Sequence, residues 1–159
     1  MWELETWLRA MAWSSLVAWT LANLARPGVS RALHTIGALT VLLHSALALQ
    51  LYGWSHAVAA RETSDRIRAF LGWSSGAEIW GNYLFLVVWS AEVAWMWLSL
   101  PGYQARPAWL RLASRALFLV MFGSGAIVFA HGPVVLLGAV ALTAVVAAWA
   151  RQARQASPA

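Results

Sequence analysis

Five side chains carry most of the chemistry this chain could do, and they fall into two groups. Glu92 and His44 each lie near the middle of an apolar segment. Counted from the basic ends of their segments, they sit ~12 and ~18 Å deep at ~1.5 Å per residue. A carboxylate and an imidazole at that depth could relay a proton or hold an ion. A charged side chain at mid-membrane costs roughly 2.5–3.5 kcal/mol on insertion scales. Glu92 escapes that cost by taking up a proton or by meeting a polar partner. The competing reading is a buried polar clamp that holds helices together. In the second group, His56, His131 and Glu78 end or begin three segments at one level. Two imidazoles and a carboxylate suit a divalent transition metal, and two facing histidines suit an axially held haem iron. Interfacial histidines bonded to carbonyls or water are the plainer alternative.

Other chemistries lack their residues. With no cysteine, disulfides, thiolate zinc sites, iron–sulfur clusters and covalent haem attachment are excluded. No phosphate-binding Gly-rich loop follows a strand. Gly123-Ser124-Gly125 falls inside an apolar run and reads as a packing notch between helices, not as a nucleophile elbow. The chain reads as more a binding or structural protein than an enzyme.

What must position these residues is a set of apolar segments. Of the 159 residues, 61% are hydrophobic and only 11% charged, against roughly a quarter charged in soluble domains. All eleven basic residues are arginine. They cluster at segment ends and not along one face, which fits headgroup anchors and speaks against a nucleic-acid partner. The pattern predicts an all-α transmembrane bundle, residues 1–150, with five spans at about 7–25, 32–56, 79–100, 109–130 and 134–150. Four spans is the alternative, and the turn signal His131-Gly132-Pro133 decides between them. Residues 151–159 read as a disordered basic tail. The acidic start, Met1 to Trp7, and Asn23 disfavour a cleaved signal peptide and predict an uncleaved first span.

Alternate threading sorts the charges. One side receives Arg26, Arg31, Arg106, Arg111, Arg115, Arg151 and Arg154 and no acid. The other receives Arg9, Arg61, Arg66 and Arg68 with Glu3, Glu5, Glu62, Asp65 and Glu78. The positive-inside bias then places the N-terminus out and the C-terminus in. Trp2, Trp7, Tyr52, Trp54, Trp73, Trp80 and Tyr83 fall near the outer interface, and Trp95, Trp97, Tyr103, Trp109 and Trp149 near the inner one. Trp13, Trp19 and Trp89 fall deeper, where they pack. In the loop 57–78, Ser64 to Leu71 fits a short helix on the membrane surface.

Helical phase predicts which faces turn inward. His34, Gly37, Ala38, Val41, His44 and Ser45 share one sector, opposite Leu33, Ile36, Leu39, Leu43 and Leu47. Glu78, Gly81, Asn82, Phe85, Trp89, Glu92 and Met96 share another. Small and polar residues face neighbouring helices in a membrane, and Leu faces lipid.

Trp54-Ser55-His56-Ala57, Asn82-Tyr83, and Trp89 with Glu92 resemble segments of a group of small bacterial multi-pass membrane proteins without assigned function. The resemblance covers residues 44–97. It implies a bacterial inner-membrane location and supplies no activity, cofactor or catalytic residue. The expected partners are the bilayer and other membrane subunits. The expected role is a non-catalytic subunit or helper of a larger membrane complex. A haem- or metal-binding protein using His56, His131, His44 and Glu78 is one alternative, and a proton-coupled transporter or channel using Glu92 and His44 is another.

Overall fold

The computed structural model describes residues 2–127 and 132–156, and the described residues are all-α. Five long helices are α1 (Trp2–Leu24), α2 (Pro27–Leu51), α4 (Glu78–Leu98), α6 (Ala108–Ile127) and α7 (Pro133–Ala156). Two shorter ones are α3 (His56–Leu71) and α5 (Leu100–Gln104). The long helices close a ring: α1 packs on α2, α2 on α4, α4 on α6, α6 on α7, and α7 back on α1.

Local sequence sets the breaks. Arg26 is extended and Pro27 opens α2, where its fixed φ suits a first helical turn. Gly53 and Trp54 both take φ +60, so the second span predicted to reach residue 56 stops at Leu51. Ser55 then caps α3, its hydroxyl accepting from the Val58 N–H at 3.3 Å, and Gly72 at φ 79 closes that helix. His56 therefore opens a surface helix and does not end a span. That helix is twice as long as the predicted one at residues 64–71. Gly132 at φ 67 precedes Pro133 at the start of α7, as the turn signal predicted. His131 itself lies outside the described residues. The basic tail, predicted disordered from residue 151, is helical through Ala156. Its Arg, Gln and Ala are good helix formers, and no stop signal precedes Ser157-Pro158.

Every helix of the ring feeds one aromatic core. Leu16 and Trp19 come from α1, Ala38 and Val41 from α2, Phe85 and Trp89 from α4, Phe118 and Phe122 from α6, and Val145 from α7. Trp19 stacks on Phe118 with ring centroids 5.7 Å apart. Trp89, fully buried, meets Phe118 edge-on at 5.1 Å. The helix-phase prediction for α2 holds: His34, Gly37, Ala38 and Val41 are buried, while Ile36, Leu39 and Leu43 face outward. The close-packing glycines are not those predicted. A Cβ on Gly125 would meet nothing, and one on Gly123 only Leu142 at 4.0 Å. The tight approaches between long helices are Gly37 under the Trp89 ring and Gly138 against Ala126.

Among the described residues, two helices are long and apolar enough to cross a membrane, α2 and residues Val135–Arg154 of α7. Neither is a buried core helix, since Leu39 is 61% exposed and Leu136 69%. Two of the other long helices fall short for a compositional reason. Arg9, Thr20 and Asn23 dilute α1, and Asn82, Glu92 and four tryptophans dilute α4. The apolar sequence of α6 runs on into Val128-Phe129-Ala130, which lie outside the described residues.

Candidate functional site

The ring brings the C-terminal ends of α1, α4 and α7 to the same level as the starts of α2 and α6. Side-chain bonds fix this register. The Trp149 indole N–H donates to Asn23 Oδ1 at 2.8 Å, joining α7 to α1. The Trp97 indole donates to Thr35 at 2.9 Å, joining α4 to α2. Arg115 donates to Gln152 at 3.3 Å, joining α6 to α7. A cavity of about 210 Å³ lies inside this end. His34, Glu92, Met96, Tyr103, Arg106, Ser114, Arg115 and Trp149 help to line it, and the exposed residues Pro27, Gln104 and Gln152 mark its mouth.

Glu92 is the acid of this cavity. Its side chain is 12% exposed and that of Arg106 11%. The Tyr103 hydroxyl donates to Glu92 Oε2 at 3.1 Å, and Arg106 Nη2 stands 4.0 Å from Oε1. Arg106 also lies over the Tyr103 ring, 3.6 Å from its centroid, and donates to the Tyr103 carbonyl at 2.8 Å. Burial, and then the Glu92 carboxylate, push the Tyr103 phenol above its usual range, so it stays a donor. The turn Ser99–Pro101 makes this possible. Ser99 caps α5, its hydroxyl accepting from the Gly102 N–H at 3.2 Å. That short helix folds Tyr103 and Arg106 back toward Glu92.

The pairing of Glu92 with His44 is not what the fold brings together. His44 Nδ1 donates to the Leu8 carbonyl at 2.9 Å, because α1 and α2 run antiparallel and place the start of one beside the end of the other. Glu92 instead shares its cavity with His34, ten residues earlier on α2, which is ~15 Å along the helix. His34 is buried, on the inward sector that helical phase predicts for it.

At the opposite end, His56 and Glu78 turn to different partners. His56 Nδ1 and the Tyr83 hydroxyl are hydrogen-bonded at 2.8 Å, and the His56 ring also packs near Trp80. Glu78 accepts from the Ser64 hydroxyl at 2.8 Å and from the backbone N–H and hydroxyl of Ser75. The Ser75 hydroxyl in turn accepts from the Ala77 N–H. Glu78 thus reaches back to the Ser75 N–H as in one half of a capping box, while the N-cap position itself is Ala77, with no side-chain cap. Among the described residues no group of three His, Asp or Glu is placed to hold a metal ion.

Glu78 lies at the water-facing start of α4, just ahead of the predicted span 79–100. The Ser64 hydroxyl first, then backbone donors and Ser75, hold its carboxyl down at about 2, against an ordinary 4.5. A depressed folded value stabilises above the unfolded value and is lost as pH falls through the folded one. Amide protection at residues 75–80 should therefore fall between pH 4.5 and 2. Hydrogen exchange should show that Glu78→Gln removes this pH dependence. An unchanged profile in Glu78→Gln would assign the fraying to another group.

No known protein family matches the chain, and neither does any curated protein or solved structure.

Proposed function

We propose that the chain is a five-span integral protein of a bacterial inner membrane, N-terminus out and C-terminus in. In this reading it serves as a non-catalytic subunit or helper of a larger membrane complex. The observation that carries the reading is the match between the ring and the charge sorting. The end that holds the cavity is the end that carries Arg26, Arg31, Arg106, Arg111, Arg115, Arg151 and Arg154. Its one acid, Glu92, is turned inward. Between the two ends the outward faces are apolar, with Leu39, Val87, Val120 and Val140 exposed. Trp2, Trp7, Trp54, Trp73 and Trp80 stand exposed toward one end and Trp97 and Trp109 toward the other, the placement of interfacial belts. Glu92, Arg106 and Tyr103 bond one another in the cavity, an arrangement that suits binding or assembly better than turnover.

The haem or metal alternative draws less support. His44 is spent on a carbonyl, His56 on Tyr83, and Glu78 on serines. The proton-coupled alternative requires Glu92 beside His44, and Glu92 has Tyr103 and Arg106 instead.

The absence of native cysteine allows a direct topology test. In intact cells a membrane-impermeant maleimide should label Ala69→Cys in α3 and should leave Ala105→Cys unlabelled until the membrane is opened. Labelling of both, or of Ala105→Cys alone, would reject the orientation. Gentle extraction into native lipid discs should then yield a defined hetero-complex on a native gel. A lone monomer would reject the subunit role.

A further inference from the structure

We propose that the cavity at the arginine-rich end is a binding site for a phosphate group, received by His34 and Arg106. Two observations on different helices lead there. His34 Nδ1 and Arg106 Nε are both buried and both lack a hydrogen-bond partner. His34 is 8% exposed, and both residues line the same cavity. A buried polar atom left unpaired is costly and uncommon, and a ligand that draws both side chains toward the cavity would give each atom a partner.

The charge on the walls selects the ligand. Arg106 and Arg115 each bring a full positive charge, against one carboxylate, Glu92. One oxygen of that carboxylate already takes the Tyr103 hydroxyl. The balance is one net positive charge, so a cation would be repelled and an oxyanion drawn in. Arg106 Nε–H can only donate, which again requires an acceptor. Donors arriving from α2, from the turn after α5 and from α6 surround a tetrahedral oxyanion better than a planar one. Charge-assisted bonds from guanidinium to phosphate are among the strongest of their kind. The cavity opens beside Pro27, Gln104 and Gln152. In the membrane reading that is the headgroup level of the anionic leaflet, where basic pockets between helices take lipid phosphates. Only the lipid source of the phosphate rests on that reading. The same donors would take free phosphate.

The test uses the full chain in maltoside micelles, which contain no phosphate. Titrations with inorganic phosphate and with short-chain phosphatidylglycerol are read by calorimetry. In parallel, ¹⁵N-histidine resonances report on His34 in the unmodified protein. One phosphate group should bind per chain and shift the His34 signal. Arg106→Gln and His34→Phe should each weaken binding by about tenfold or more, the scale of one charge-assisted bond. Glu92→Gln should tighten it, because it removes the only negative charge from the wall. A role confined to folding would not produce that opposite sign. Binding of inorganic phosphate assigns a free oxyanion, and binding of the lipid alone assigns a headgroup. Overturning results are no saturable binding of either probe, a silent His34 signal, or binding indifferent to Arg106→Gln. None of them touches the subunit role, which is judged by topology and co-purification.

Discussion

Gly37→Ala should lower the thermal midpoint of the purified protein sharply, and Gly37→Val should prevent a stable bundle. A Cβ at position 37 would sit 2.6 Å from Trp89 Cζ2 and 2.9 Å from Cη2. Trp89 has nowhere to move. It is fully buried and contacts Phe85, Phe118 and Phe122, with ring centroids 5.1 to 5.7 Å away. Overpacking of this kind costs about 1–3 kcal/mol for one methyl. The reverse change, Trp89→Ala, opens a cavity where five helices meet and should cost about 3–5 kcal/mol. Trp89→Phe is the informative partner. It loses the atoms that crowd position 37 and also removes an indole N–H that has no acceptor, so part of the packing loss is offset. In the Trp89→Phe background, Gly37→Ala should be tolerated. Thermal midpoints of the four proteins close a double-mutant cycle. If the alanine costs as much in the Trp89→Phe background as in the unmodified protein, the close approach is not what glycine serves there.

That contact marks where sequence reasoning reaches and where it stops. Helical phase alone, at ~100° per residue, puts Gly37 on the inner face of α2 and Trp89 on the inner face of α4. Their meeting is not legible, since it depends on which helix neighbours which. The same limit explains His44 and Glu92. Phase turns each of them inward, but the antiparallel α1–α2 pair sends His44 to Leu8, and the cavity gives Glu92 to Tyr103 and Arg106. Gly123 and Gly125 differ from expectation for the complementary reason. A small residue permits close approach only if a neighbouring helix passes there, and the helix passing close is met at Gly138.

Other features are legible and easily misweighed. Tyr52-Gly53-Trp54-Ser55 contains a glycine and a capping serine, enough to end α2 before His56. The left-handed Trp54 is a less expected cost, about 1–2 kcal/mol for a residue with a Cβ. Ser75 bonds Glu78 within four residues of chain, whereas a metal site needs His56, Glu78 and His131 from three elements. Charge sorting counts Arg106 with the headgroup anchors because it treats each arginine as a point at a helix end. Long side chains can turn back. The signal for this is Glu92 itself, an acid on an inner face with a tyrosine and an arginine following the next turn.

Glu92→Ala should accordingly destabilise the bundle more than any other single change at the arginine-rich end. It would leave the Arg106 guanidinium in its cavity with only the Tyr103 carbonyl and ring, and the Tyr103 hydroxyl would lose its acceptor. Breaking a fully buried ion pair from one side costs about 3–5 kcal/mol. Here the 4.0 Å separation and the open cavity mouth reduce that to about 1–3 kcal/mol, because water reaches the stranded charge. Glu92→Gln should cost less, since its carbonyl still accepts from Tyr103. The decisive variant is Glu92→Ala combined with Arg106→Leu. Removing both charges removes the desolvation cost of each, so the double variant should recover most of the loss. If Glu92→Ala alone leaves the midpoint unchanged, the pair is a surface-like contact already hydrated through the mouth. If the double variant is as unstable as the sum of the two single ones, Glu92 and Arg106 act independently, and each supports the bundle through Tyr103 alone.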